Sequence, residues 1–254
     1  MSEHRFVWHD LMTPDLDTAQ AFYSRVIGWR VADAGMPDGN YRVCLVGEVG
    51  VAGIMGFRAP DDPIVAPFWS GYIYTPDVSA VAERTLKLGG AIYREPRIVP
   101  GNLEFAILLD PHGAMFNIMR PLKNGPWPKW CRGTPGTIGW NELHSGNWEE
   151  AWAFYSELFG WVKQEAIDLG PLGTYQTFGI GDVAFGGMMT KRPERPDLFW
   201  QYYWNVDAIG AAVQRIQAAG GKVIMGPHQV PGGLWIINGQ DPQGGIFAVV
   251  SPVQ

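Results

Sequence analysis

The chain is short of cysteine, of charge and of long apolar runs. Two cysteines in 254 residues, Cys44 and Cys131, cannot build a disulfide framework and predict a reducing compartment. No apolar run approaches the ~18–20 residues that a membrane span needs, and the N-terminal residues form no apolar signal segment. A cytoplasmic protein without a membrane partner is expected. Nineteen Lys and Arg against 25 Asp and Glu give a net charge of −6, so the basic excess that nucleic acid demands is missing. A glycine-rich phosphate loop, a Gly-x-Ser-x-Gly elbow and a Cys/His nucleophile pair are also lacking. Cys44, in an apolar run, reads as a small buried hydrophobe.

Glycine and aromatics are plentiful. Thirty-three Gly, 12 Trp, 12 Phe and 9 Tyr predict many tight turns, with large rings filling cores or lining cavities. Most of those rings must be core.

The chain is a duplication. Trp8, Leu11, Ala19, Phe22, Tyr23, Gly28 and Trp29 recur 132 positions later as Trp140, Leu143, Ala151, Phe154, Tyr155, Gly160 and Trp161. Phe68, Trp69, Gly89, Gly90, Asp110, Pro111, Gly113 and Phe116 recur at an offset of 131, as Phe199, Trp200, Gly220, Gly221, Asp241, Pro242, Gly244 and Phe247. Residues 123–135, rich in Pro and Gly and without apolar periodicity, read as a linker between domains at 5–122 and 136–252. Each half divides again into two modules of one order. Residues 6–12 alternate as a strand, and 15–28 have the helical spacing of Ala19, Phe22, Tyr23, Val26 and Ile27, with Asp15 or Asp17 as N-cap and Gly28 after the end. Strands at 29–32, 41–46 and 51–57 follow. The second module repeats this with a strand at 69–74, a helix capped by Asp77 and closed at Gly89-Gly90, and strands near 91–94, 105–110 and 115–119. An α+β fold of four βαβββ units is expected.

With its Ala-x-x-Phe-Tyr helices ending in Gly-Trp, its Leu88-Gly-Gly and Ala219-Gly-Gly helix ends and its Asp-Pro-x-Gly hairpins, the chain resembles the vicinal oxygen chelate superfamily. That group includes glyoxalase I, bleomycin-resistance proteins and extradiol dioxygenases. The resemblance covers nearly the whole chain and implies that paired modules form cupped sheets, two cups per chain, with the site on the concave face. It also implies a divalent metal held by His and Glu at matching strand positions. Here those positions fall on Trp8 and Trp140, Ser70 and Gln201, Asn117 and Ala248, and around Gly53–Ile54 and Gly186–Gly187. None is a competent ligand, so neither a metal nor any other cofactor is expected. A one-residue slip would put His9 in place of Trp8, but it would turn the whole strand over, Leu11 included.

Glu142 and His144 stand two apart on one strand and therefore share a face, which alignment makes Trp140's cup interior. They can serve as base and acid, or Glu142 can bond backbone or an Arg while His144 meets solvent. The first half has Asp10 and Met12 in their places. Gln201 and Tyr203 share a face opposite Trp200, Tyr202 and Trp204, so Tyr203 is a candidate polar helper. His228 lies in a Pro/Gly-rich loop and reads as a rim ligand or a plain surface histidine. Trp8 and Trp140 floor the cups as stacking surfaces, or simply fill them as core. Gln201, Asp10, Ser70 and Asn117 complete the candidate ligand contacts. His112 and Gln243, at the x of the Asp-Pro-x-Gly hairpins, read as exposed turn positions.

These features predict a protein that takes a small, partly aromatic or apolar molecule, either as a metal-independent isomerase or lyase with Glu142 as base or as a pure binder. A drug-sequestering resistance protein, and a metal-dependent lyase or extradiol-type dioxygenase with displaced ligands, are the alternatives. Monomer and homodimer are both compatible with the sequence.

Overall fold

One strand–helix–strand–strand–strand order runs four times along the computed structural model, which describes residues 4–36, 39–57, 66–123, 131–193 and 197–254. The first module is β1 (Phe6–Thr13), α1 (Leu16–Ile27), β2 (Arg30–Asp33), β3 (Tyr41–Val46) and β4 (Val49–Gly56). The second is β5 (Phe68–Tyr74), α2 (Val78–Lys87), β6 (Ala91–Val99), β7 (Leu103–Leu109) and β8 (Met115–Pro121). The third is β9 (Ile138–Ser145), α3 (Trp148–Phe159), β10 (Val162–Asp168), β11 (Thr174–Ile180) and β12 (Val183–Thr190). The fourth is β13 (Phe199–Asn205), α4 (Ile209–Ala218), β14 (Lys222–Gln229), β15 (Trp235–Gln240) and β16 (Ile246–Ser251). Of the expected linker, residues 124–130 lie outside the described residues.

Local chemistry sets the helix ends. Asp15 accepts from the backbone N–H of Asp17 and Thr18, and Asp77 from that of Ala80, each filling the N-cap role. Gly28 ends α1 in the left-handed region at φ 92°, where a side chain would be strained. Two edge strands, β6 and β14, run further than expected. β6 continues through Pro96 to Val99, with register shifts against β7 between Ile92 and Arg94 and between Arg94 and Arg97. It lies at the sheet edge, where a proline need not donate to a neighbour.

The fold is α+β. Each half contributes one eight-stranded sheet, in the order β2-β3-β4-β1-β5-β8-β7-β6 and β10-β11-β12-β9-β13-β16-β15-β14. The inner pairs β1–β4, β5–β8, β9–β12 and β13–β16 are parallel and the outer hairpins antiparallel. Packing, by contrast, groups modules from different halves. Among the described residues, one compact unit holds 4–7, 71–123, 140–193 and 197–201; the other holds 8–36, 39–57, 66–70, 131–139 and 202–254.

In the first unit Tyr155, Trp161 and Phe178 stack in sequence (5.6 and 4.6 Å between centroids), with Phe116, Phe154, Phe159 and Trp200 around them. In the second, Phe22, Tyr23, Trp29, Trp69, Trp204 and Phe247 make the corresponding cluster. Five of the twelve tryptophans, Trp29, Trp69, Trp161, Trp200 and Trp204, are thus accounted for by these cores. A Trp–Tyr–Asp polar chain runs through each core. Trp200 Nε1 donates to Tyr155 Oη and Tyr155 to Asp110; Trp69 Nε1 donates to Tyr23 Oη and Tyr23 to Asp241. Burial raises the pKa of both carboxyls, and burial next to the Asp241 charge raises that of the Tyr23 hydroxyl. No helix among the described residues is long and apolar enough to cross a membrane.

Candidate functional site

On β9 the alternation puts Asn141, Leu143 and Ser145 on one face and Trp140, Glu142 and His144 on the other. The first set is buried; the second is half-buried and linked into one network. Glu142 Oε1 lies 2.8 Å from His144 Nε2, while Glu142 Oε2 accepts from Tyr175 Oη at 2.9 Å. Tyr175 Oη in turn accepts from Trp140 Nε1 at 2.6 Å. Only 13% of the Glu142 side chain and 18% of the His144 side chain reach solvent. The His144 ring stacks on Phe199 at 4.6 Å and 15°, which fixes its plane. Where Glu142 is ionised its carboxylate only accepts, and the proton between Glu142 and His144 is on Nε2. In neutral His144 the lone pair is then on Nδ1.

β1 carries the counterpart. Trp8 Nε1 donates to Asp10 Oδ1 (2.8 Å) and Tyr41 Oη (2.9 Å), and Tyr41 Oη donates to Asp10 Oδ1 at 2.7 Å. Asp10 is buried, and Met12 stands where β9 has His144. Nearby, burial and the Asp10 charge push the Cys44 thiol up, which rules it out as a nucleophile at neutral pH.

Both networks depend on a glycine of the neighbouring parallel strand. Asp10 pairs with Gly53, and Glu142 with Gly187. A Cβ on Gly53 would collide with Tyr41 Oη and Asp10 Oδ1, and one on Gly187 with the Tyr175 ring. These glycines mark the strand where the resemblance places a ligand carboxylate, and the tyrosines fill the space above them. The other ligand positions hold Ser70 and Asn117 in one half, Gln201 and Ala248 in the other, all buried. No group of three His, Cys, Asp or Glu that could hold a metal occurs among the described residues. This donor set does not fit a divalent ion held by His and Glu. The His9 ring is 1% exposed and packs edge-on against Tyr202 (4.7 Å) and Trp204 (5.4 Å), so it is core.

The remaining candidates are distributed. Trp140, Glu142 and His144 come together, as do Trp8 and Asp10. Tyr203, 3% exposed, belongs to the other compact unit and lies opposite Ala248 of β16. Asn117 lies opposite Tyr72 on β8. His228 is on β14 opposite Ile236 and not in a loop, because β14 extends through Pro227 as an edge strand. His112 and Gln243 are only partly exposed. His112 Nε2 meets Glu150 Oε2 at 2.7 Å, and Gln243 bonds Thr13 and the backbone of Asp15. Tyr41 and Tyr175 are site residues that the repeat analysis passes over. They are 134 positions apart, so an offset of 132 sets Tyr41 against Gly173. A tyrosine near the start of the same strand in both halves, first in β3 and second in β11, was the available signal.

The family model described as Glyoxalase/Bleomycin resistance protein/Dioxygenase superfamily matches residues 5–118 and again 137–249. A Mycobacterium bovis protein named "Putative glyoxylase CFP32" is 29% identical over 251 residues, covering 96% of this chain and 94% of the relative. The "Anthracycline biosynthesis protein DauV" of Streptomyces sp. (strain C5) is 27% identical over 259 residues, covering 96% and 91%. Among solved structures, the Mn(II)-bound glyoxalase from Novosphingobium aromaticivorans superposes with a TM-score of 0.69 at 17% identity, covering 100% of this chain and 84% of that one. With both halves matched by one family model and the strand order repeated in both sheets, the chain belongs to the glyoxalase/bleomycin-resistance/dioxygenase superfamily.

Proposed function

We propose that the second half binds a small, partly aromatic carbonyl compound and moves a proton beside the carbonyl without a divalent metal. The observation that carries this reading is the Glu142–His144 pair, with Nε2 tied to the carboxylate and the ring held against Phe199. His144 Nδ1 takes the proton from the carbon next to the carbonyl, the bond electrons pass into an enolate, and the same imidazolium returns the proton to a neighbouring atom. Glu142 is then a positioning residue that sets the tautomer and stabilises the imidazolium, and Tyr175 anchors Glu142. The sequence alone favours Glu142 as base; a carboxylate already accepting on both oxygens is the poorer acceptor, which supports exchanging the two roles. A relative named as a glyoxylase and another named for anthracycline biosynthesis are in keeping with a carbonyl-bearing ligand. For the first half, where Met12 replaces the imidazole, we propose binding without proton transfer.

The test follows α-proton exchange of phenylpyruvate and 2-hydroxyacetophenone in D2O by NMR. Catalysed exchange that survives EDTA and falls about 100-fold or more in His144→Gln is expected. Exchange that EDTA abolishes would remove the metal-free part. Equal exchange in wild type and His144→Gln would remove the assignment of the base, and binding without any exchange would leave a sequestering protein.

A further inference from the structure

A cleft of about 560 Å³ opens within the compact unit that holds α1 and α4, and the proton-transfer network contributes no residue to it. That volume suits a small molecule. Arg25 in the last turn of α1, Arg30 on β2 and Arg215 in the last turn of α4 line it, with Glu48 and Asp207 as the acidic groups. Ile27, Leu45 and Val46 supply an apolar wall. Arg215 is committed: Nε donates to the Val26 carbonyl at 3.1 Å, and Nη1 and Nη2 donate to the Asp207 carboxylate. Arg30 holds Glu48 at 2.8 Å, but the two side chains are 54% and 90% exposed, so an incoming anion replaces Glu48 at little cost. Arg25 donates to the Ala218 carbonyl at 3.3 Å and forms no ion pair among the described residues. Three cations against two anions leave the cleft with one excess positive charge.

Duplication supplies an internal control. In the other compact unit, Arg84 of α2 stands where α4 has Arg215, and Glu157 of α3 stands where α1 has Arg25. There the two bond to each other as an ion pair. Val162 takes the place of Arg30, and Asp182 matches Glu48 in the turn between the third and fourth strands. Helix ends with the same carbonyls are thus held by one arginine and one glutamate, so the fold requires neither Arg25 nor Arg30. Arg25 in place of a glutamate and Arg30 in place of a valine turn a self-neutralised corner into a basic one beside apolar side chains.

We propose that this cleft binds a small monocarboxylate with an apolar body, its carboxylate held by Arg25 and Arg30 and its body lying against Ile27, Leu45 and Val46. A guanidinium fork matches a planar carboxylate with parallel hydrogen bonds. One excess positive charge suits a monoanion; a dianion would leave a negative excess beside Glu48 and Asp207. The inference is independent of proton transfer by His144.

The test is calorimetric titration of 2-naphthoate and its neutral isostere 2-naphthamide into wild type, Arg25→Glu, Arg25→Gln and His144→Gln. Wild type and His144→Gln should bind the carboxylate about 10-fold or more tightly than the amide, and added salt should shrink the difference. Arg25→Glu installs the residue that the fold already carries as Glu157, and Arg25→Gln adds no new charge. Both should lose the preference. 2-Naphthyl phosphate should gain nothing over the carboxylate; binding tighter by about 10-fold or more would overturn the choice of a monoanion. A preference unchanged in both Arg25 variants, or lost only in His144→Gln, would overturn the inference. So would the absence of saturable 2-naphthoate binding to wild type below about 5 mM.

Discussion

The networks around Asp10 and Glu142 share a design and differ in one reactive group. Both take a tryptophan and a carboxylate two apart on the opening strand, a tyrosine from the third strand, and a glycine that leaves room for the ring. In the first, the tyrosine and tryptophan converge on a single oxygen of Asp10. In the second, the longer Glu142 keeps one oxygen for Tyr175 and offers the other to His144. One added methylene and the change from methionine to histidine turn a closed polar plug into a chain that ends on an imidazole. The frame belongs to the fold; the chemistry depends on the position two residues after the carboxylate.

The largest expected effect comes from the glycines. Gly187→Ala puts a methyl group against the Tyr175 ring and Gly53→Ala puts one against Tyr41 and Asp10. Overpacking of this kind costs about 1–3 kcal/mol. Denaturant titration should show comparable losses in the two variants, because the two frames are built alike. Only Gly187→Ala should also slow proton exchange, since Glu142 loses its anchor. Equal loss of exchange in both variants would break the proposed division between the halves.

A second comparison concerns the buried Asp110 and Asp241, each accepting from a core tyrosine. Burial raises both carboxyl pKa values, so between the unfolded and folded values the folded chain binds more protons than the unfolded one. Their contribution to stability therefore falls as pH rises from the unfolded values through the folded ones, as the cost of charge burial sets in. In thermal melts from neutral pH downward, wild type should gain stability relative to Asp110→Asn and Asp241→Asn, with a similar slope for each. If only one variant changes the slope, the two cores are not electrostatically equivalent.

Much of this was legible in the sequence because it is local or periodic. The caps at Asp15, Asp77 and Gly28 and the shared face of Trp140, Glu142 and His144 follow from side-chain chemistry and two-residue alternation. The inward faces of Trp200 and Trp204 follow in the same way. Tyr175 was hidden because the third and fourth strands of the opening modules shift relative to the rest of the repeat. β6 and β14 were cut short because proline reads as a stop signal until a strand is known to lie at an edge. Which modules share a core cannot be read from a repeat, since a constant offset relates equivalent residues and says nothing of what each apolar face packs against. Tyr23 thus bonds Asp241 of the other sequence half.

The smallest effect tests the hairpin position itself. Asp-Pro-x-Gly fixes the same turn twice, yet x is His112 in one hairpin and Gln243 in the other. The His112 side chain makes one bond, to a Glu150 carboxylate that is 69% exposed, so water competes for that carboxylate. Such a pair contributes about 0.5 kcal/mol. Gln243 makes three: Oε1 accepts from Thr13 Oγ1 and the Asp15 N–H, and Nε2 donates to the Asp15 carbonyl. A carboxamide can accept and donate at once across that corner; an imidazole presents its two nitrogens on a rigid ring and cannot meet all three groups. His112→Gln should therefore stay within about 0.5 kcal/mol of wild type, while Gln243→His should lose about 1–2 kcal/mol in the same denaturant titration. The reverse ranking would mean that His112 holds the first turn of α3 more firmly than its single bond implies.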